Sequence, residues 1–205
     1  MDVSPASDNP FCTRWVRPGA IPFLFPPGEN AEKLVDRLRQ AGWWGEITGP
    51  HGSGKSALLA ALTAAIERAG RRTVLVVLHD TERRLPVDLR NDPRLRPPVL
   101  MMVDGYEQLS RWQRLVLKRF CRRQGTGLLV TAHDSVGLPP LYRTVAMLDV
   151  AAQIVAQLMG DRKPPFTPEE VSQCLSRRGG NLREMLFDLY DLFEQRRPSS
   201  GQNMT

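Results

Sequence analysis

Apolar residues are distributed along the chain in two patterns. Some form short, uninterrupted runs, and others recur at intervals within longer amphipathic stretches. Solid apolar runs are typical of strands that are covered on both faces. Such runs occupy 72–78, 99–103 and 127–131, and shorter β-prone segments occupy 43–48 and 144–149. We predict that these segments form a parallel sheet, with 144–149 as its last strand.

Amphipathic stretches with apolar residues at helical spacing lie between the predicted strands. They cover 29–40, 55–69 and 107–124, and glycines close the first two. Strands that alternate with helices, each strand being a solid apolar run, indicate an α/β fold. We therefore predict a parallel sheet with helices on both faces.

The pattern changes after residue 150, where only helical spacing remains, at 150–159, 168–176 and 182–194. The beginning of the chain is instead rich in proline and aromatic residues, which favour neither a helix nor a central strand. This predicts four parts: a proline- and aromatic-rich arm at 1–30, an α/β core at 31–150, a small all-helical lid subdomain at 151–196, and a disordered tail at 197–205.

One segment between the first strand and the next helix fits the pattern G-x-x-x-x-G-K-[ST] in full. Glycines allow backbone N–H groups to approach phosphate oxygens, and the helix that follows points its positive end at the anion. The lysine supplies a charge for the β- and γ-phosphates, and the serine hydroxyl is a Mg²⁺ ligand. The sequence thus predicts a P-loop NTPase core that binds ATP and Mg²⁺. The nucleotide-binding residues are Gly49, Pro50, His51, Gly52, Ser53, Gly54, Lys55, Ser56 and Ala57.

A second acidic element follows the apolar run at 99–103. Asp104 stands where a Walker B carboxylate belongs, at the carboxyl end of a parallel strand beside the phosphate loop. We predict that Asp104 holds Mg²⁺ together with Ser56. The alternative is that Asp104 caps the helix that begins near Glu107.

ATP hydrolysis also requires a group that orients or deprotonates water. Many ATPases place a glutamate directly after the Walker B aspartate, but this chain has Gly105 there, and the nearest glutamate is Glu107. Two alternatives stay open. Glu107 either reaches the water, or it serves only as a favourable negative charge in the first helical turn.

With these motifs in order, the chain resembles the AAA+ and related STAND ATPases of the additional-strand P-loop group. The resemblance covers roughly residues 30–195 and includes a polar strand end at Thr131-Ala-His133 and the segment Gly179-Gly-Asn-Leu-Arg183. It implies that Thr131 or His133 acts as sensor 1 and positions water, and that Arg183 acts as sensor 2 and reaches the γ-phosphate. It also implies an arginine finger supplied in trans, for which Arg143 is the candidate. The alternatives are a solvated strand end, a helix cap at Asn181 and an exposed loop arginine.

The resemblance implies a nucleotide-dependent switch or assembly factor, which works as a homo-oligomer or with a partner protein that completes the site in trans. Two other functions stay open. The missing Asp-Glu pair is compatible with a non-hydrolysing, nucleotide-gated binding module, and a small-molecule P-loop kinase shares the phosphate loop. The terminal helices argue against the kinase.

Positive charge is concentrated in the predicted helix 107–124, in a chain of 205 residues with formal net charge +6 and pI about 9.7. Leu109, Trp112, Val116 and Phe120 form an apolar row that we assign to the core. The basic row could bind nucleic acid, but no aromatic residue interrupts it, so base recognition is not predicted. The alternative to nucleic-acid binding is that the basic row is simply a solvated helix face. The basic residues are Arg111, Arg114, Lys118, Arg119, Arg122 and Arg123.

Composition adds little more. The three cysteines, Cys12, Cys121 and Cys174, are widely separated, so neither a disulfide framework nor a zinc site is predicted. No apolar stretch approaches the length of a membrane span, and the first residues lack the pattern of a secretory signal. We expect a cytoplasmic protein.

Overall fold

The structure is a computed structural model that describes residues 9–12, 21–79, 82–86, 88–89 and 92–196. The described residues form two compact units. One, the sheet unit, is 22–144, and the other, the helical unit, combines described residues of 1–21 with those of 145–196.

The sheet unit is built on five parallel strands, which confirms the predicted fold class. Their order across the sheet is β2-β3-β4-β1-β5, so that β4 separates β1 from β3. All carboxyl ends therefore lie along one edge, where parallel α/β sheets bind ligands. The strands are β1 (Trp44–Thr48), β2 (Arg72–Val77), β3 (Val99–Asp104), β4 (Gly127–Ala132) and β5 (Pro140–Arg143).

Helices cover both faces of this sheet, as the sequence predicts. They are α1 (Ala31–Gln40), α2 (Lys55–Arg68) and α3 (Arg111–Gln124). Because successive side chains of a strand point to opposite faces, Met101 packs in the core cluster that contains residues of α3, and Met102 in the cluster with α1 and α2.

The last strand is not where the sequence predicts it. β5 is Pro140–Arg143, while Val145 and Met147 of the predicted strand 144–149 are 60% and 56% exposed. Proline is tolerated at the first position of an edge strand because no neighbour needs its N–H. Proline argues against a central strand, so the proline-rich segment before residue 144 carries no sequence signal for β5.

The helix predicted at 107–124 is shorter than expected and is rotated about its own axis, so that a different face points to the core. A 3₁₀ turn occupies Tyr106–Gln108, and α3 begins at Arg111, capped by the Ser110 hydroxyl. The predicted core row is wrong at Trp112, which is 70% exposed, because Leu117 and Cys121 face the core instead.

Two basic residues explain this rotation of α3. The Arg114 guanidinium donates to the carbonyl oxygens of Leu109 (2.9 Å) and Glu107 (2.7 Å), and Lys118 Nζ donates to that of Val136 (3.1 Å). Long cationic side chains bury their apolar stems and satisfy their heads at the edge of a core. The side chains of Arg114 and Lys118 therefore lie on the side of α3 that faces the sheet, and Trp112 is exposed to solvent.

The helical unit contains the three helices that the sequence predicts after residue 150, namely α4 (Leu148–Met159), α5 (Pro168–Arg177) and α6 (Leu182–Arg196). A capping box starts α5, since Thr167 accepts from the Glu170 backbone and the Glu170 carboxylate accepts from Thr167 N–H. Such a box satisfies two N–H groups that the helix leaves free.

A short segment at 9–12 packs into this helical unit. Phe11 is fully buried, with its ring centroid 5.6 Å from that of Phe166 and 6.1 Å from that of Phe193. The buried Asn9 side chain donates to Glu194 Oε1 (2.7 Å) and to Tyr190 O (3.3 Å), and accepts from Phe11 N (2.9 Å). Polar and aromatic contacts therefore both hold the segment.

We expect Asn9→Ala to lower the free energy of unfolding by about 1–3 kcal/mol, because it leaves buried polar partners unsatisfied. Thermal unfolding measures the change, at about 2–4 °C per kcal/mol for a chain of this size. Gln153→Ala removes an exposed amide from α4 and serves as the control. Equal melting temperatures for the two variants would contradict the role of Asn9.

Several predictions fall partly or wholly on residues that are not described. The arm is described only at 9–12 and 21–30, and the tail at 197–205 lies outside the described residues. Across the described part of the chain, the helices lack the length and apolar character that crossing a lipid bilayer requires.

Candidate functional site

The phosphate loop connects β1 to α2, as the motif predicts. Its first glycine is required by close packing: a Cβ on Gly49 would come within 2.5 Å of the Thr144 carbonyl oxygen and closer still to its hydroxyl. Gly54, the last residue before α2, has φ +94°. Only glycine adopts such a backbone without strain.

Thr144 holds this loop from the end of β5. Its Oγ1 lies 2.6 Å from Ser53 Oγ, and its backbone N–H donates to Thr48 O at the end of β1 (2.8 Å). Ser53 is buried and also donates to Pro50 O (2.7 Å). The sequence does not reveal Thr144 as a site residue, because it lies 91 residues from Ser53.

Lys55 lies between the loop and two carboxylates. Its Nζ donates to the carbonyl oxygens of Gly49 and Pro50, both at 2.7 Å. Burial lowers the pKa of this ammonium, and the charges of Glu107 and Asp104 partly oppose that shift. An ammonium held at the loop, with both carboxylates near, provides the positive charge that phosphate binding requires.

A hydroxyl fixes the aspartate that ends β3. Thr131 Oγ1 donates to Asp104 Oδ1 (2.5 Å) and accepts from Gly105 N (2.9 Å). Because β4 adjoins β3, Thr131 is fully buried next to Asp104 and orients its carboxylate. Asp104 is not the helix cap of the alternative interpretation, since Ser110 caps α3.

The 3₁₀ turn after β3 brings Glu107 into the same site. Glu107 Oε1 lies 3.2 Å from His133 Nε2, while Glu107 Oε2 is buried and makes no hydrogen bond within the described part of the chain. A buried carboxylate oxygen without a partner is costly, so such an atom is a candidate for a functional role.

His133 is partly buried, and this burial favours its neutral form. Burial lowers the pKa of His133, the Glu107 carboxylate opposes that shift, and His51 and Lys55 add to it. The rings of His133 and His51 lie 3.7 Å apart, centroid to centroid. Because His133 Nε2 lies 3.2 Å from Glu107 Oε1, the imidazole is close enough to position the carboxylate.

An open cavity of about 440 Å³ adjoins His133, and Arg143 and Thr48 also line it. Its wall is supported by the buried Glu46, whose Oε2 accepts from the backbone N–H groups of Val136 and Leu138, both at 3.0 Å. Sequence analysis missed Glu46, although a charged residue in an apolar strand is a signal that could have found it.

The predicted residues of the sheet unit thus meet at one edge. Ser56 is half-buried in the first turn of α2 and Ala57 follows it, while Arg143 is exposed at the end of β5. Arg183 belongs to the helical unit, where it is exposed in the first turn of α6, and the Asn181 side chain accepts from Arg183 N (3.1 Å). The helix cap at Asn181, which was the alternative to a sensor role for Arg183, is therefore present.

These residues fit a magnesium nucleotide. The Lys55 ammonium and the oxygen atoms of Ser56 and Asp104 match the needs of phosphates and Mg²⁺. Among the described residues, no cluster of three or more histidine, cysteine or acidic residues could hold a metal. At nucleotide sites, phosphate oxygens usually supply part of the ligand set of Mg²⁺.

The parallel sheet and its glycine-rich loop define the fold as that of a P-loop NTPase. No family model and no curated protein matches the sequence. Solved structures with the same fold include NtrX from Brucella abortus in complex with ATP (TM-score 0.58) and with ADP (0.55), each 16% identical over 89% of this chain. This chain spans about half of that protein's length, 53%.

Proposed function

We propose that this chain binds ATP with Mg²⁺ and hydrolyses it, as a nucleotide-dependent switch or assembly factor of AAA+ type. The observation that carries the proposal is the meeting of the phosphate loop, the Asp104–Thr131 pair and the Glu107–His133 pair at one sheet edge. The likeness in fold to NtrX, solved with ATP and with ADP, supports it.

In this proposal the loop from Gly49 to Ala57 supplies backbone N–H groups to the phosphates, and Lys55 exchanges its loop carbonyls for phosphate oxygens. Ser56 and Asp104 would hold Mg²⁺, which neutralises charge on the phosphates when it is bound. Thr131 keeps Asp104 in place through the bond to its Oδ1. These groups bind and orient the nucleotide.

Glu107 is the proposed base for water. Its Oε2, which has no hydrogen-bond partner among the described residues, would accept a proton from an attacking water, while His133 Nε2 lies 3.2 Å from Oε1. His133 therefore acts as a positioning residue, and Lys55 offsets the charge of the carboxylate. The buried, unpartnered Oε2 is the observation that favours hydrolysis over a module that only binds.

We further propose that a neighbouring copy, or a partner protein, completes the site in trans. Arg143 is exposed at the end of β5 and forms no ion pair with any carboxylate of the described residues, which leaves it available to a neighbour's nucleotide. Arg183 is the residue that we propose for the sensor 2 role.

The test is ATP turnover by the purified protein across a concentration series. We expect turnover per chain to rise with concentration, because assembly supplies Arg143 in trans, and Arg143→Ala to abolish that rise without changing ATP binding. A turnover per chain that is independent of concentration would contradict the trans contribution. Tight ATP binding with no turnover at any concentration would favour the non-hydrolysing module instead.

A further inference from the structure

The face of α3 that points to solvent combines positive charge with an exposed aromatic ring. The helix contains six basic residues and no acidic residue, a charge of +6 that equals the formal net charge of the whole chain. Arg114 and Lys118 bond to backbone carbonyls at the edge of the core. Four arginines of α3 are therefore left for the outer face.

These four arginines share that face with two apolar residues. At 3.6 residues per turn, these six exposed residues span about one third of the helix circumference, opposite Leu117 and Cys121. Trp112 and Leu115 are 70% and 58% exposed. We call this face the α3 strip, and its residues are Arg111, Trp112, Leu115, Arg119, Arg122 and Arg123.

The cations of the α3 strip are not neutralised by neighbours. Arg111, Arg119 and Arg123 form no ion pair with a carboxylate in the described ranges. Arg122 lies over the Trp44 ring, 5.4 Å from its centroid, and keeps its charge. A concentrated positive field without acidic partners attracts polyanions.

We propose that the α3 strip binds single-stranded nucleic acid, with the arginines on consecutive phosphates and Trp112 stacked on a base. Phosphates would bind the arginines through their charge. An unpaired base would stack on the exposed ring of Trp112, which lies among these arginines. A duplex hides its base faces within the stack, so Trp112 would gain nothing there. This inference is independent of ATP binding and hydrolysis.

A second copy of this chain is a poorer occupant of the strip. Two α3 strips placed face to face would bring eight arginines together, and like charges oppose such a contact. An acidic protein would match the charge, but it offers no planar base for Trp112. The chemistry of the α3 strip therefore favours nucleic acid over a second copy of this chain and over an acidic protein. The experiment below distinguishes the three.

The experiment is a titration of a fluorescently labelled 20-nucleotide oligothymidylate with full-length protein, without nucleotide. Trp112→Ala is expected to weaken binding about tenfold, and Trp112→Phe much less, because both aromatic rings stack. Arg119→Glu with Arg123→Glu should weaken it more and flatten the slope of log affinity against log salt concentration by about 1.4. Quenching of tryptophan fluorescence should disappear in Trp112→Phe.

Matched controls are Phe187→Ala, an exposed aromatic residue on α6, and Lys163→Glu, an exposed lysine of the helical unit. Both should bind like the wild type. Three results would overturn the proposal: a duplex that binds as tightly as the single strand, unchanged binding by Trp112→Ala, or displacement of the oligonucleotide by polyglutamate at equal charge. Loss of self-association in the strip variants with oligonucleotide binding intact would assign the strip to a second copy.

Discussion

Replacement of Glu107 by glutamine is expected to lower ATP turnover by about 10²–10⁴-fold, the range for loss of a general base. Glutamine keeps the size of the side chain and an oxygen that can accept from His133 Nε2, but its amide cannot take a proton from water. ATP affinity should change little, because the phosphates are held by the loop and by Lys55. Steady-state turnover and equilibrium binding of a fluorescent ATP analogue measure the two effects separately.

Two further variants sharpen this prediction. Glu169→Gln removes an exposed carboxylate from α5 and should turn over ATP like the wild type. His133→Ala should lower kcat about tenfold with an unchanged KM, since His133 only positions Glu107. Glu107→Gln with wild-type turnover would show that the unpartnered Oε2 is not the base, and the water-activating group would have to come from elsewhere.

Replacement of Lys55 by alanine is expected to weaken ATP binding by about 10- to 150-fold, which corresponds to the 1.5–3 kcal/mol of a hydrogen bond to a charged group. Its ammonium already lies within 2.7 Å of two loop carbonyls, so it is placed for phosphate oxygens without a large rearrangement. Isothermal titration calorimetry with ATP and Mg²⁺ measures the loss.

Lys163→Ala removes a lysine with no part in the loop and is the control for Lys55→Ala. Arginine at position 55 should not restore binding, because the planar guanidinium is larger than the compact ammonium that the half-buried position holds. If Lys55→Ala bound ATP as tightly as the wild type, the glycine-rich loop would not be the phosphate site, and the proposed function would fall with it.

Local patterns account for the parts of the fold and site that the sequence predicts well. The phosphate loop is readable because its glycines, lysine and serine lie within one short segment. Asp104 is readable because a solid apolar run ends at it, and the parallel sheet because each inner strand is such a run. In these segments local propensity and burial agree.

The features that the sequence does not predict depend on contacts between residues that are far apart in the chain. The short, proline-started β5 has no apolar run, so it exists only because β1 pairs with it. Trp112 looks like a core residue by spacing, yet two cationic stems, those of Arg114 and Lys118, take the inner side of α3. The sequence identifies Glu107 as a candidate base for water, but its position near His133 depends on the 3₁₀ turn after Gly105.

The docking of residues 9–12 among helices of the other end of the sequence has a consequence for synthesis on the ribosome. Phe11 is made early, but its partner Phe193 emerges 182 residues later, after the whole of the sheet unit. Segments of a nascent chain fold as they emerge. The sheet unit can therefore fold first, and the helical unit is complete only when α6 has left the ribosome and packed against Phe11.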